Sequence, residues 1–140
     1  MQQWHNDIND MHKKYGVHDW IKEELNREDK DWSRLNKFLQ FRINFLKEEL
    51  TETEDAFNNK DAAEVVDGLI DLCVIAIGTL DAFNVDAQKA WEEVHTANMM
   101  KERGIKESRP NPLGLPDLIK PQDWVGPNHD ENTGNISDAL

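Results

Sequence analysis

Six carboxylates interrupt two apolar stretches, Glu48, Glu49 and Glu52 in "FLKEELTE" (45–52) and Glu64, Asp67 and Asp71 in "EVVDGLID" (64–71). An ionised carboxylate among leucines and valines costs free energy unless a cation pairs with it or a proton neutralises it. Several acids placed together cannot all share one nearby arginine, Arg42, so the pattern calls for a divalent cation. All-oxygen donors favour a hard ion, Mg²⁺ or Mn²⁺. Zinc is disfavoured, because His5, His12, His18, His95 and His129 show no zinc-ligand spacing.

Helical geometry sharpens this expectation. At about 100° per residue, Glu49 falls between the azimuths of Phe38, Phe45 and Leu46, with Glu52 at the edge of that apolar face and Glu48 one step further round. In the second stretch Glu64, Asp67 and Asp71 form a stripe about 60° wide on a segment that is otherwise apolar nearly all round. Pairs at i, i+3 (Glu49 with Glu52, Glu64 with Asp67) put two carboxylates on one face of each helix. Antiparallel packing of the two helices would bring four carboxylates together, as in carboxylate sites inside helical bundles. The competing reading is a pair of solvated acidic faces, and Glu48 alone fits that reading as well as it fits a site.

The elements that must position these acids are helices. Every proline lies between Pro110 and Pro127, and residues 1–104 contain none. An all-α fold is therefore expected, a helical domain over 1–104 with an irregular Pro/Gly-rich extension over 105–140 of the same domain, either a lid or an arm that packs on a neighbouring subunit. Trp4, Ile8, Met11 and Tyr15 recur at helical spacing before a natural stop at Gly16. Residues 19–28 form a short helix or a turn. A long amphipathic helix is expected over about 31–57, and another over 62–83 that opens on a capping box from Asp61 to Glu64. A last long helix follows Asp86 and runs to about Glu102.

On that last helix Asn98 and Lys101 share an azimuth with Ala87, Ala90, Trp91 and Val94. This favours Lys101 as a phosphate contact over a solvated stem, whereas Asn98 fits either a ribose or phosphate contact or a helix-end hydrogen bond. His95 reads as a hydrogen-bonded core or interface residue, and Arg42 as a structural partner of a site carboxylate.

The formal net charge of −12 disfavours nucleic acid and anionic membranes as partners and welcomes a bound cation. The single cysteine, Cys73, permits no intramolecular disulfide, and no stretch is apolar and long enough for a membrane span. With no signal-peptide pattern at the N-terminus, a cytoplasmic location is the expectation.

Glu48-Glu49-x-x-Glu52 followed by Glu64-x-x-Asp67 resembles the EExxE…ExxD signature of the all-α nucleoside triphosphate pyrophosphohydrolases, which include MazG-like proteins and phosphoribosyl-ATP pyrophosphohydrolase. "WHNDINDMHKKYGV", "HTANMMK" and "IKPQDWVGP" resemble the opening, SNxxK and KPxGWxPP elements of small phage-type MazG-like proteins, so the likeness spans roughly residues 4–127. The eleven residues between Glu52 and Glu64 are at the short end for the family, and "ESRPNPLGLPDL" is longer than the turn expected before the closing loop.

The resemblance implies hydrolysis between the α- and β-phosphates of a nucleoside triphosphate. It assigns Glu49, Glu52, Glu64 and Asp67 as ligands of Mg²⁺ or Mn²⁺, with Asp71 as a further ligand or an orienting group and Glu48 orienting or deprotonating the attacking water. Asn98, Lys101, Lys120 and Trp124 become candidate substrate contacts, Trp124 either closing over the base or pinning the tail to the bundle. Purine deoxynucleotides, dGTP or dATP, are weakly favoured as substrates of a dNTP-pool enzyme. The alternatives are phosphoribosyl-ATP hydrolysis and a non-catalytic acidic interaction module.

A helix apolar nearly all round, with only three other substantial helices to cover it, also implies a homo-oligomer, with a tetramer built as a dimer of dimers expected. Size-exclusion chromatography with light scattering is expected to return a multiple of the 16.2 kDa chain mass. A purely monomeric species would remove the assembly reading.

Overall fold

The computed structural model describes residues 2–140, and they divide into two compact units: one runs to Ala87 and resumes at Thr133–Leu140, the other is Gln88–Asn132. The first unit holds α1 (Gln2–Tyr15), α2 (Val17–Leu25), α3 (Ser33–Asn58), α4 (Ala62–Ala82) and a short α6 (Ile136–Ala139). The second holds most of α5 (Ala87–Met99) and an antiparallel pair, β1 (Glu102–Gly104) and β2 (Asp117–Ile119). The all-helical expectation holds apart from that small sheet.

Local signals explain most boundaries. Gly16 sits at φ 75°, a left-handed conformation that glycine adopts without a Cβ penalty. Helix α2 then starts at once, so the ambiguous segment is helical as far as Leu25 and leaves the helix from Asn26. The Asp61 side chain accepts from the Glu64 backbone N–H at 3.2 Å and caps α4 as its sequence foretells.

Helices α3 and α4 form an antiparallel hairpin. Near the start of α3, Arg42 donates through Nε to Thr79 Oγ1 and through Nη2 to the Ile75 carbonyl, both at 3.0 Å. Eleven residues later Thr53 lies against Gly68, where a Cβ would run into the threonine hydroxyl. Early α3 therefore meets late α4, and late α3 meets early α4.

The main core sits at one end of this hairpin. Ile21, Leu35, Leu39, Ala82, Phe83 and Ala139 are buried together, with Trp20, Trp32 and Phe38 packed around them. Helix α6 belongs to this core although the sequence suggested only an irregular tail. It is held there by Asn36, which donates to the Ala139 carbonyl at 2.8 Å, and by the Asn135 N–H, which donates to the Phe83 carbonyl at 2.6 Å. On α1 the buried residues are Ile8 and His12, whereas Tyr15 is 70% exposed and Trp4 and Met11 are also exposed. The inward stripe of α1 is thus narrower than its hydrophobic spacing suggests.

Gly134, at φ 51°, passes so close to the backbone of Phe83 and Asn84 that a Cβ would overlap the Phe83 carbonyl oxygen. Gly134→Ala is expected to lower unfolding stability by about 1–3 kcal/mol in urea titrations, through overpacking and left-handed strain combined.

Candidate functional site

The acids lie at the end of the hairpin opposite the main core, on the C-terminal half of α3 and the N-terminal half of α4. The contact between Gly68 and Thr53 sets their spacing: with no side chain at 68, α4 approaches α3 closely just beside Asp67. The Thr53 hydroxyl is itself turned back onto its own helix, donating to the Glu49 carbonyl at 2.7 Å. This i−4 bond satisfies the hydroxyl inside the helix contact.

Glu49 and Asp71 are half-buried, while Glu48, Glu52, Glu64 and Asp67 are exposed in the isolated chain. That corrects the expectation of an oily interior around every acid. The apolar neighbours on α4 are uncovered as well: Val66, 63% exposed, and Leu69 lie on the side of the helix away from the stripe, and Ile70 is also exposed.

Electrostatics nevertheless ties the two helices together at this place. Partial desolvation pushes the Glu49 carboxyl above its ordinary pKa, and the negative charges of Glu52, Asp71, Asp67 and Glu48 push it the same way. Carboxylates from α3 and α4 therefore crowd Glu49. Glu64 is on the same stripe, one turn before Asp67. Among the described residues, three ligand atoms come within 4.8 Å of one another only at His12, His18 and Asp81, so the acids stand further apart than a closed coordination shell.

The donor set still fits a hard divalent cation. It is all oxygen, it spans two helices, and its mutual repulsion is what a cation relieves.

The expected link from Arg42 to a site carboxylate is not formed. Burial lowers the Arg42 pKa, and its guanidinium is spent on the Ile75 carbonyl and Thr79 hydroxyl of α4. His95 is exposed in the single chain, which excludes the core half of its expected core-or-interface role, and Trp91 and Val94 beside it are exposed as well.

Within the segment 88–132, the four candidate substrate contacts come together. Lys101 donates to Asn98 Oδ1 at 2.9 Å, and the ammonium groups of Lys101 and Lys120 stand 5.3 and 4.7 Å from the centre of the Trp124 ring. The Trp124 indole N–H donates to the Ala97 carbonyl at 2.7 Å. Trp124 thus pins the closing loop to the end of α5, and its ring holds two ammonium groups by cation–π attraction.

The architecture is that of the all-α nucleoside triphosphate pyrophosphohydrolases, a hairpin of long antiparallel helices with acids facing each other across it. A family model described as phosphoribosyl-ATP pyrophosphohydrolase matches residues 15–98, more than half of the chain. The chain belongs to that family. Comparisons with curated proteins and with solved structures find no match. The matched span contains all six acids and ends at Asn98, so Lys101, Lys120 and Trp124 lie beyond it.

The raised Glu49 pKa has a defined sign. Its contribution to stability is fully present below the ordinary glutamate value of 4.5 and is lost as pH rises through the raised folded-state value. Glu49→Gln is therefore expected to raise the melting temperature of the metal-free chain at pH 7 and to leave it unchanged near pH 4. Thermal denaturation at the two pH values, with chelator present, checks both halves.

Proposed function

We propose that this chain is a metal-dependent nucleoside triphosphate pyrophosphohydrolase that releases a nucleoside monophosphate and pyrophosphate. The observation that carries the reading is the crowding of Glu49 by acids from two antiparallel helices, in a chain whose family hydrolyses a phosphoanhydride. Glu49, Glu52, Glu64, Asp67 and Asp71 would hold Mg²⁺ or Mn²⁺, which supplies charge neutralisation and a polarised phosphoryl group when bound.

The remaining steps belong to the chain's own residues. Glu48, exposed beside Glu49, orients a water and accepts its proton as the water oxygen attacks the α-phosphorus. The bond from that phosphorus to the bridging oxygen breaks, and pyrophosphate leaves with the bonding pair. Within segment 88–132, Lys101 and Lys120 are the candidate contacts for phosphate charge, Asn98 for the ribose or, as a donor, a phosphate oxygen, and the Trp124 ring for the base. Stacking on Trp124 would require Lys101 or Lys120 to exchange the ring for a phosphate.

The uncovered apolar surface at the same end of the hairpin as the acids, including Leu50, Phe57, Val66 and Leu69, supports covering by a second copy of the chain in a dimer or a dimer of dimers. A cytoplasmic setting suits this chemistry, and no helix among the described residues is long and apolar enough to cross a membrane.

Among substrates, dGTP and dATP remain the preferred candidates from the phage-type motifs. Phosphoribosyl-ATP is the second reading, favoured by the description of the matching family model. Pyrophosphate release from a panel of dNTPs, NTPs and phosphoribosyl-ATP with Mg²⁺ or Mn²⁺ is expected to show turnover that falls at least about a hundredfold in Glu52→Gln. Equal, negligible release by both proteins would favour a non-catalytic acidic module.

A further inference from the structure

A second cluster of metal-ligating side chains lies away from the acids, where α1 and α2 meet the end of α4. Asp81 is 3% exposed, and imidazoles from two helices turn toward it. His12 Nδ1 lies 2.8 Å and His18 Nε2 lies 2.9 Å from the same oxygen, Asp81 Oδ2. The other oxygen, Oδ1, accepts from the Asn9 amide at 2.8 Å and has His5 Nε2 at 3.4 Å. Four nitrogens thus converge on one buried carboxylate.

Hydrogen bonding can also satisfy this arrangement: with its proton on Nε2, His18 donates to Asp81 alongside His12 and the Asn9 amide. A cation placed between His18 Nε2, His12 Nδ1 and the carboxylate would instead receive lone pairs from all three groups, while Asn9 steadies the carboxylate from outside.

We propose that His12, His18 and Asp81 form a binding site for a zinc-type divalent ion, with His5 as the available fourth ligand. Two imidazoles and a carboxylate suit Zn²⁺ or Co²⁺ rather than the hard ions that suit the acids. The ligand atoms of the three residues already lie within 4.8 Å of one another. His18 also lines an open cleft of about 490 Å³ together with Asn9, Lys13, Lys22 and Asn84, which provides an entry path. The site would clip the first two helices to the end of α4, and spacing concealed it because Asp81 is far from the histidines in sequence.

The test uses the full chain, stripped with chelator and kept in excess Mg²⁺ so that the acids are occupied. Titration with Co²⁺ is expected to give visible d–d bands of tetrahedral cobalt, about one equivalent retained after gel filtration, and displacement by Zn²⁺. Zinc at a hundredfold excess over its Kd should raise the melting temperature by roughly 5–10 °C. His18→Gln, at a half-buried position, is expected to weaken Co²⁺ binding at least about tenfold, and Glu64→Gln to leave it unchanged. Asp81→Asn should behave like His18→Gln if it folds by circular dichroism, and His18→Gln decides the matter if it does not. Uptake no greater than that of His18→Gln, or uptake lost in Glu64→Gln instead, would overturn the proposal. Neither result bears on the hydrolase reading, which pyrophosphate release tests separately.

Discussion

Two glycines on α4 govern how closely the hairpin can close. At Gly68 the missing side chain lets α4 meet Thr53 directly, and at Gly78 it leaves room for Arg42 Nη2 and the His12 ring, at 2.7 and 3.3 Å from where a Cβ would be. Each glycine lies beside one of the two polar clusters. The acids gather next to the first contact, and the histidines with Asp81 gather next to the second. A methyl group would press on Thr53 at the first position and on Arg42 and the His12 ring at the second.

The two ends of the hairpin are built differently. One end is filled by Leu35, Leu39, Phe83 and the returning α6, a core in which nearly every apolar group has a partner. The other end exposes Leu50, Phe57, Val66 and Leu69 together with the acids. Stability is therefore concentrated far from the acids. That separation lets the acidic end tolerate the partial desolvation and the neighbouring charges that raise the Glu49 pKa.

Features set by short-range rules were legible in the sequence. The Asp61 cap, the stop at Gly16, the long α3 and α4 and the antiparallel connection all follow from local spacing and a short link. The acids and their helices were legible for the same reason, since i, i+3 pairs carry their own geometry. What stayed hidden depends on tertiary contact. Strands of three residues have too little periodicity to be read, and α6 is only a turn of helix that owes its form to Asn36 and Phe83. Arg42 was matched with a carboxylate because both are charged, yet the α4 carbonyl and hydroxyl lie closer. The histidine cluster joins residues 5, 12, 18 and 81, a set that no linear motif could bring together.

The chain returns to its starting point after segment 88–132, because Asn135 bonds to Phe83 and its side chain accepts from Asn84 at 2.6 Å. That segment is topologically an insertion whose two ends are stapled together by the body that carries the acids. Its length is consequently free to drift: the twelve-residue link between β1 and β2, longer than the expected turn, adds chain without moving either end. Loops of this kind are where related proteins can diverge in what they grip while keeping the same scissile chemistry.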